Sequence, residues 1–121
     1  MRNAIIAISL AVASLHGSVD AAVPSGISGT WYNAAQNGHG VSIEVIDETR
    51  VIAFWYVYDT NGQPVHLYID GRINGRTISG TAYRASGMRF GQFDPATLSL
   101  DIWGQVDLDV LSCQSVRMRY R

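Results

Sequence analysis

His39 and Glu44 stand five positions apart at the start of an alternating apolar pattern. An imidazole and a carboxylate that share a spot can exchange protons with a substrate, so this pair defines one candidate chemistry, a small hydrolase. No serine or cysteine occupies a strand-to-helix elbow that would make it a nucleophile. Outside the leader described below, the histidines are His39 and His66, and the carboxylates are scattered. A metal needs three or four converging ligands, so neither a metal nor a cofactor is expected. Cys113 is the single cysteine, which excludes an internal disulfide. Its neighbours Ser112 and Gln114 do not activate a thiol, and it reads as a small apolar residue near a turn.

The richer chemistry is aromatic. Trp55, His66, Tyr68 and Tyr83 fall on strand-like segments near Glu44 and Ser42, and Trp31, Tyr32 and His39 precede them. Rings with polar tips suit recognition of sugars, peptides or protein partners. The competing reading is a second small core, in which a long loop carrying Phe90 and Phe93 covers these rings.

These side chains must be positioned by strands. Period-two alternation recurs at Val41–Val45, Val65–Ile69, Leu98–Ile102, Val106–Val110 and Val116–Tyr120, and no segment keeps a helical period. Each such strand has one buried and one wet face. Turn chemistry separates them at Glu48-Thr49, Asp59–Gly62, Asn74-Gly75, Gly104 and Ser112–Gln114. The expected fold is an all-β antiparallel meander of about eight strands, a small barrel or a tight sandwich. Loops of these lengths set a register: Phe54 faces Ile43 and Leu67, Ile69 faces Gly80, and Trp55 lies on the outer face between Ser42 and His66. Further on, Asp101 faces Asp107, Asp107 faces Arg119, and Asp109 faces Arg117. This is a cross-strand charge ladder that keeps a wet face in register.

Composition narrows the setting. The chain has 121 residues with a net charge of −1, and all nine basic residues are arginine. With no basic run it is a poor nucleic-acid or membrane-surface binder. Arg2, the apolar run Ala4–Leu15, and Val19 and Ala21 at the −3 and −1 positions form the pattern of a cleaved signal peptide. The run of twelve residues is shorter than the roughly 20 that span a bilayer. Residues 1–21 are therefore expected to be a leader and 22–121 one exported β domain, periplasmic or extracellular. The strands are too short and their polar faces too charged for a membrane-inserted barrel.

Several blocks resemble a known pattern. Gly29-Thr-Trp-Tyr-Asn33, Gln36-Asn-Gly-His-Gly40, Phe54-Trp-Tyr-Val-Tyr-Asp-Thr-Asn-Gly-Gln-Pro64, Phe90-Gly-Gln-Phe-Asp-Pro95 and Trp103-Gly104 are similar, in order, to an uncharacterised domain of exported proteobacterial proteins. Ala34 departs from a frequent proline there, and His66 from a frequent tryptophan. The resemblance implies a secreted β domain and no defined activity. Gly29–Asn33 alone also resembles the first strand of avidin-type barrels, where the position of Asn33 contacts ligand, but the later tryptophans of that family are missing. The expectation drawn from these residues is an exported, non-enzymatic binding module for a cell-envelope glycan, peptide or protein, including an inhibitor or immunity protein. The alternatives are the His39/Glu44 hydrolase and a structural or adhesive surface protein.

Overall fold

The computed structural model describes residues 22–121, and the expected leader, residues 1–21, lies outside the described residues. After a 3-10 turn at Ser25–Ile27 come β1 (Gly29–Trp31), β2 (Gly40–Val45), β3 (Arg50–Tyr58), β4 (Pro64–Asn74) and β5 (Thr77–Ser86). A second 3-10 turn at Pro95–Thr97 leads into β6 (Ser99–Ser112) and β7 (Ser115–Tyr120). The seven strands pair antiparallel in chain order as one sheet. The sheet curls into a half-barrel, with β1 and β7 as its two edges. The all-β antiparallel meander is as expected, with seven strands among the described residues where about eight were expected.

The strand count differs because Gly104 is not a turn. β6 runs through it unbroken for 14 residues. A Cβ at Gly104 would collide with the Arg121 carbonyl oxygen. Gln105 and Arg121 exchange backbone hydrogen bonds of 2.9 and 3.1 Å at this point. The glycine admits the end of β7, a use of glycine that resembles a turn signal in sequence.

The register around β3 also differs, and the loops explain it. Asp47 Oδ1 accepts from the Thr49 N–H, the Thr49 hydroxyl and the Arg50 N–H at 2.7, 2.7 and 2.9 Å. This side-chain turn makes the loop 46–49 and aligns Val45 with Val51 rather than Ile52. Asp59 Oδ1 likewise accepts from the N–H groups of Asn61 and Gln63, both at 2.9 Å, and Gly62 takes φ +76°. Val57 then faces Val65. Each loop moves the alignment by one residue, and one residue exchanges the faces of a strand. Both shifts flank β3, so β3 alone is inverted. Phe54 pairs with Ser42 and Tyr68, not with Ile43 and Leu67, and Trp55 pairs with Val41 and Leu67 on the inner face.

The third hairpin moves by two, which preserves the faces. Its loop is Gly75-Arg76, with Asn74 facing Thr77 and Ile69 facing Ala82. Only Gly75 there has a positive φ, so the glycine-first loop replaces the expected Asn-Gly turn. Arg76 fixes the tip by donating from Nε to the Val110 carbonyl (2.9 Å) and from Nη2 to that of Leu111 (3.2 Å).

The concave face is the core. Ile43, Val51, Leu67, Ile69, Ile78, Val106, Leu108 and Val110 are buried there, and Ile27 from the first 3-10 turn plugs it. On the convex face, the expected pairs Asp107–Arg119 and Asp109–Arg117 are present, but Asp101 faces Arg84 instead of Asp107. Asp109 is held most tightly. Its carboxylate accepts from Arg117, Arg119 and Thr77 at 3.0–3.1 Å.

Candidate functional site

The open end of the half-barrel holds an aromatic cavity of about 610 Å³. Ligand pockets commonly fall between roughly 300 and 1,000 Å³. Its rim is the segment between β1 and β2, built from two consecutive turns. The Gln36 N–H donates to the Asn33 carbonyl (2.9 Å), and the His39 N–H to that of Gln36 (3.2 Å). Asn33 Oδ1 accepts from the Ala35 N–H at 3.0 Å. These turns bring Tyr32, Asn33, Gln36 and His39 to the mouth. Behind them the Trp31 indole is anchored by its Nε1–H, which donates to the Ile27 carbonyl at 2.8 Å.

The floor is Trp55, only 9% exposed. Its ring meets those of Trp103 at 5.2 Å and 84° and of Tyr120 at 4.8 Å and 51°. Trp103 and Tyr120 themselves lie 5.9 Å apart. Edge-on and tilted contacts at these separations are the favourable arrangements for aromatic pairs. Curvature makes the cluster, because strands β3 and β6 are not neighbours in the sheet. A β-bulge adds to it. The ladder between β5 and β6 steps from Ala82/Gly104 to Tyr83/Ile102, which leaves Trp103 as the extra residue. A bulge of this kind re-aims a side chain, here into the cavity. Tyr58 supports the rim by meeting the His39 ring at 5.4 Å and 70°.

Among the described lining residues the one formal charge is Arg117, and it is committed elsewhere. Its Nε and Nη2 both lie 3.1 Å from Asp109 Oδ2. Burial by itself raises the pKa of Asp109. The hydrogen bonds from Arg119, Thr77 and Arg117 outweigh burial and hold the carboxyl below its ordinary value.

The structure divides the residues singled out from sequence. Trp31, Tyr32, His39 and Trp55 converge on the cavity. Glu44, His66, Tyr68 and Tyr83 belong to the convex face, where Tyr68 sits between Phe54 (5.8 Å) and Tyr83 (6.2 Å). Phe54 thus occupies the place expected for Trp55. Phe90 and Phe93 do not cover this row. They pack on each other at 6.1 Å, and Phe90 is fully exposed. His39 lines the mouth while Glu44 points from the opposite face of β2, so the two are not brought together. No group of three potential metal ligands occurs among the described residues, and Cys113 is exposed at the β6–β7 tip. No helix among them is long and apolar enough to cross a membrane.

Tyr58, Trp103 and Tyr120 were not legible as site residues. Tyr120 follows from strand parity, since it alternates with Val116 and Met118 on the inner face of β7, whereas Tyr58 has the outward parity of Phe54 and meets the rim only at the end of β3, against Gly38 and His39. Trp103 depends on a bulge that no local motif announces. Comparison of the chain with protein-family models, curated proteins and solved structures gives no significant match.

Proposed function

We propose that this protein is an exported, non-enzymatic binding module that takes a cell-envelope ligand in the concave aromatic cavity. The observation that carries the reading is the Trp55–Trp103–Tyr120 cluster at the base of an open, amide-rimmed cavity. Apolar lining with a few convergent polar groups is the usual composition of a ligand pocket. The separation of His39 from Glu44 favours binding over hydrolysis.

All three tryptophans of the chain line this cavity, so indole fluorescence reports its occupancy. The test is a ligand-observed NMR screen of small saccharides, peptides and neutral ring compounds, repeated on Trp103→Ala and Phe54→Ala. Binders are expected to compete with one another and to weaken more than about tenfold in Trp103→Ala only. Binding that survives Trp103→Ala and is lost in Phe54→Ala would transfer the site to the convex face.

A further inference from the structure

Building on the cavity as the binding site, we infer that its ligand is an uncharged saccharide. Among the described lining residues no carboxylate faces the cavity, and the Arg117 guanidinium is paired with Asp109 at 3.1 Å. An acidic ligand would give up its hydration without gaining a free cation, which is unfavourable. A cationic ligand meets the complementary difficulty. No carboxylate among the described lining residues balances its charge, and the floor rings Trp55, Trp103 and Tyr120 pack on one another at 4.8–5.9 Å instead of holding their faces apart as a cage for an ammonium does.

A fully apolar ligand is disfavoured by the rim. Asn33, Gln36 and His39 would lose water to a molecule with nothing to offer them. A neutral sugar satisfies both parts. The C–H face of a pyranose ring lies against an indole or phenol ring, and Trp103 and Tyr120 retain exposed surface beside the buried Trp55. The sugar hydroxyls both donate and accept, which suits amides. Asn33 Oδ1 is already engaged by the Ala35 N–H, so Asn33 offers its Nδ2–H₂ donors. At about 610 Å³ the space exceeds one hexose, which points to an oligosaccharide end or a short internal stretch.

The test is calorimetric titration of the purified protein with three neutral trisaccharides: cellotriose, maltotriose and triacetylchitotriose. Trigalacturonate and the glucosamine trimer serve as anionic and cationic counterparts. At least one neutral trisaccharide is expected to bind, with a Kd constant within about twofold between roughly 50 and 500 mM salt. Affinity is expected to fall more than about tenfold in Trp103→Ala and in Tyr120→Ala, to recover largely in Trp103→Phe, and to be unchanged in Phe54→Ala. Binding of a charged trimer alone, weakened by salt and by Trp103→Ala, would overturn the neutral class while leaving the cavity as the site. Failure of all three neutral probes would also overturn the class, the cavity then being judged by the ring-compound screen. Neutral binding lost only in Phe54→Ala would overturn the cavity reading itself.

Discussion

Trp55 and Phe54 are adjacent in sequence and occupy opposite worlds. Trp55 is 9% exposed and touches rings from β6 and β7, strands it does not pair with. Phe54 is 40% exposed and touches Tyr68 on the next strand. The concave rings are joined across the sheet by its curvature. The convex row Phe54–Tyr68–Tyr83 is joined only along the ladder. An aromatic residue on the inside therefore holds the curl and shapes a cavity, while the same residue type outside contributes a cross-strand pair.

Substitutions on the two faces sharpen this contrast. Trp55→Ala should have the largest effect, about 3–5 kcal/mol of stability, the usual range for a large buried aromatic. Denaturant unfolding of purified variants measures it. Gly104→Ala comes next at about 1–3 kcal/mol, since its new methyl collides with the Arg121 carbonyl. Hydrogen exchange should show the loss concentrated at the Gln105–Arg121 ladder.

Asp109→Asn should cost about 1–2 kcal/mol at neutral pH by weakening charge-assisted hydrogen bonds. The pH dependence has a definite sign. The folded pKa of Asp109 is lowered, so its contribution is complete above the unfolded value of about 3.9 and is lost as pH falls through the folded one. The stability gap between wild type and Asp109→Asn should be flat above about pH 5 and close below about pH 4. Phe54→Ala or Tyr68→Ala should cost less than about 1 kcal/mol, the scale of one cross-strand pair. The smallest effect belongs to Phe90→Ala, within about 0.5 kcal/mol, since the ring is fully exposed. A loss above 2 kcal/mol at Phe54 together with a negligible one at Trp55 would reverse the assignment of faces.

The meander, most strand segments and the Asp107–Arg119 and Asp109–Arg117 pairs were legible in the alternation of residue types. The orientation of β3 was not. It depends on how Asp47 and Asp59 wrap their side chains around the following N–H groups, which sets the loop parity. Both faces of β3 are apolar or aromatic, so the pattern Val51-Ile-Ala-Phe-Trp-Tyr56 is compatible with either orientation. Half of the candidate site followed. Trp31, Tyr32 and His39 precede β3 and reach the cavity regardless of its orientation. Trp55 reaches it only because β3 is inverted. The pairing of Trp103 with Trp55 is a tertiary contact between positions 48 apart, made by a bulge with no local signal beside a glycine that resembles a turn.

In the proposed reading the concave cavity, and not the convex row, receives ligand. Chemical-shift mapping of the aromatic and indole signals during titration with a bound trisaccharide tests it most directly. The Trp55 and Trp103 indoles and the Tyr120 ring are expected to move, with Phe54, Tyr68 and Tyr83 unmoved. Movement of Phe54, Tyr68 and Tyr83 with stationary indoles would contradict it.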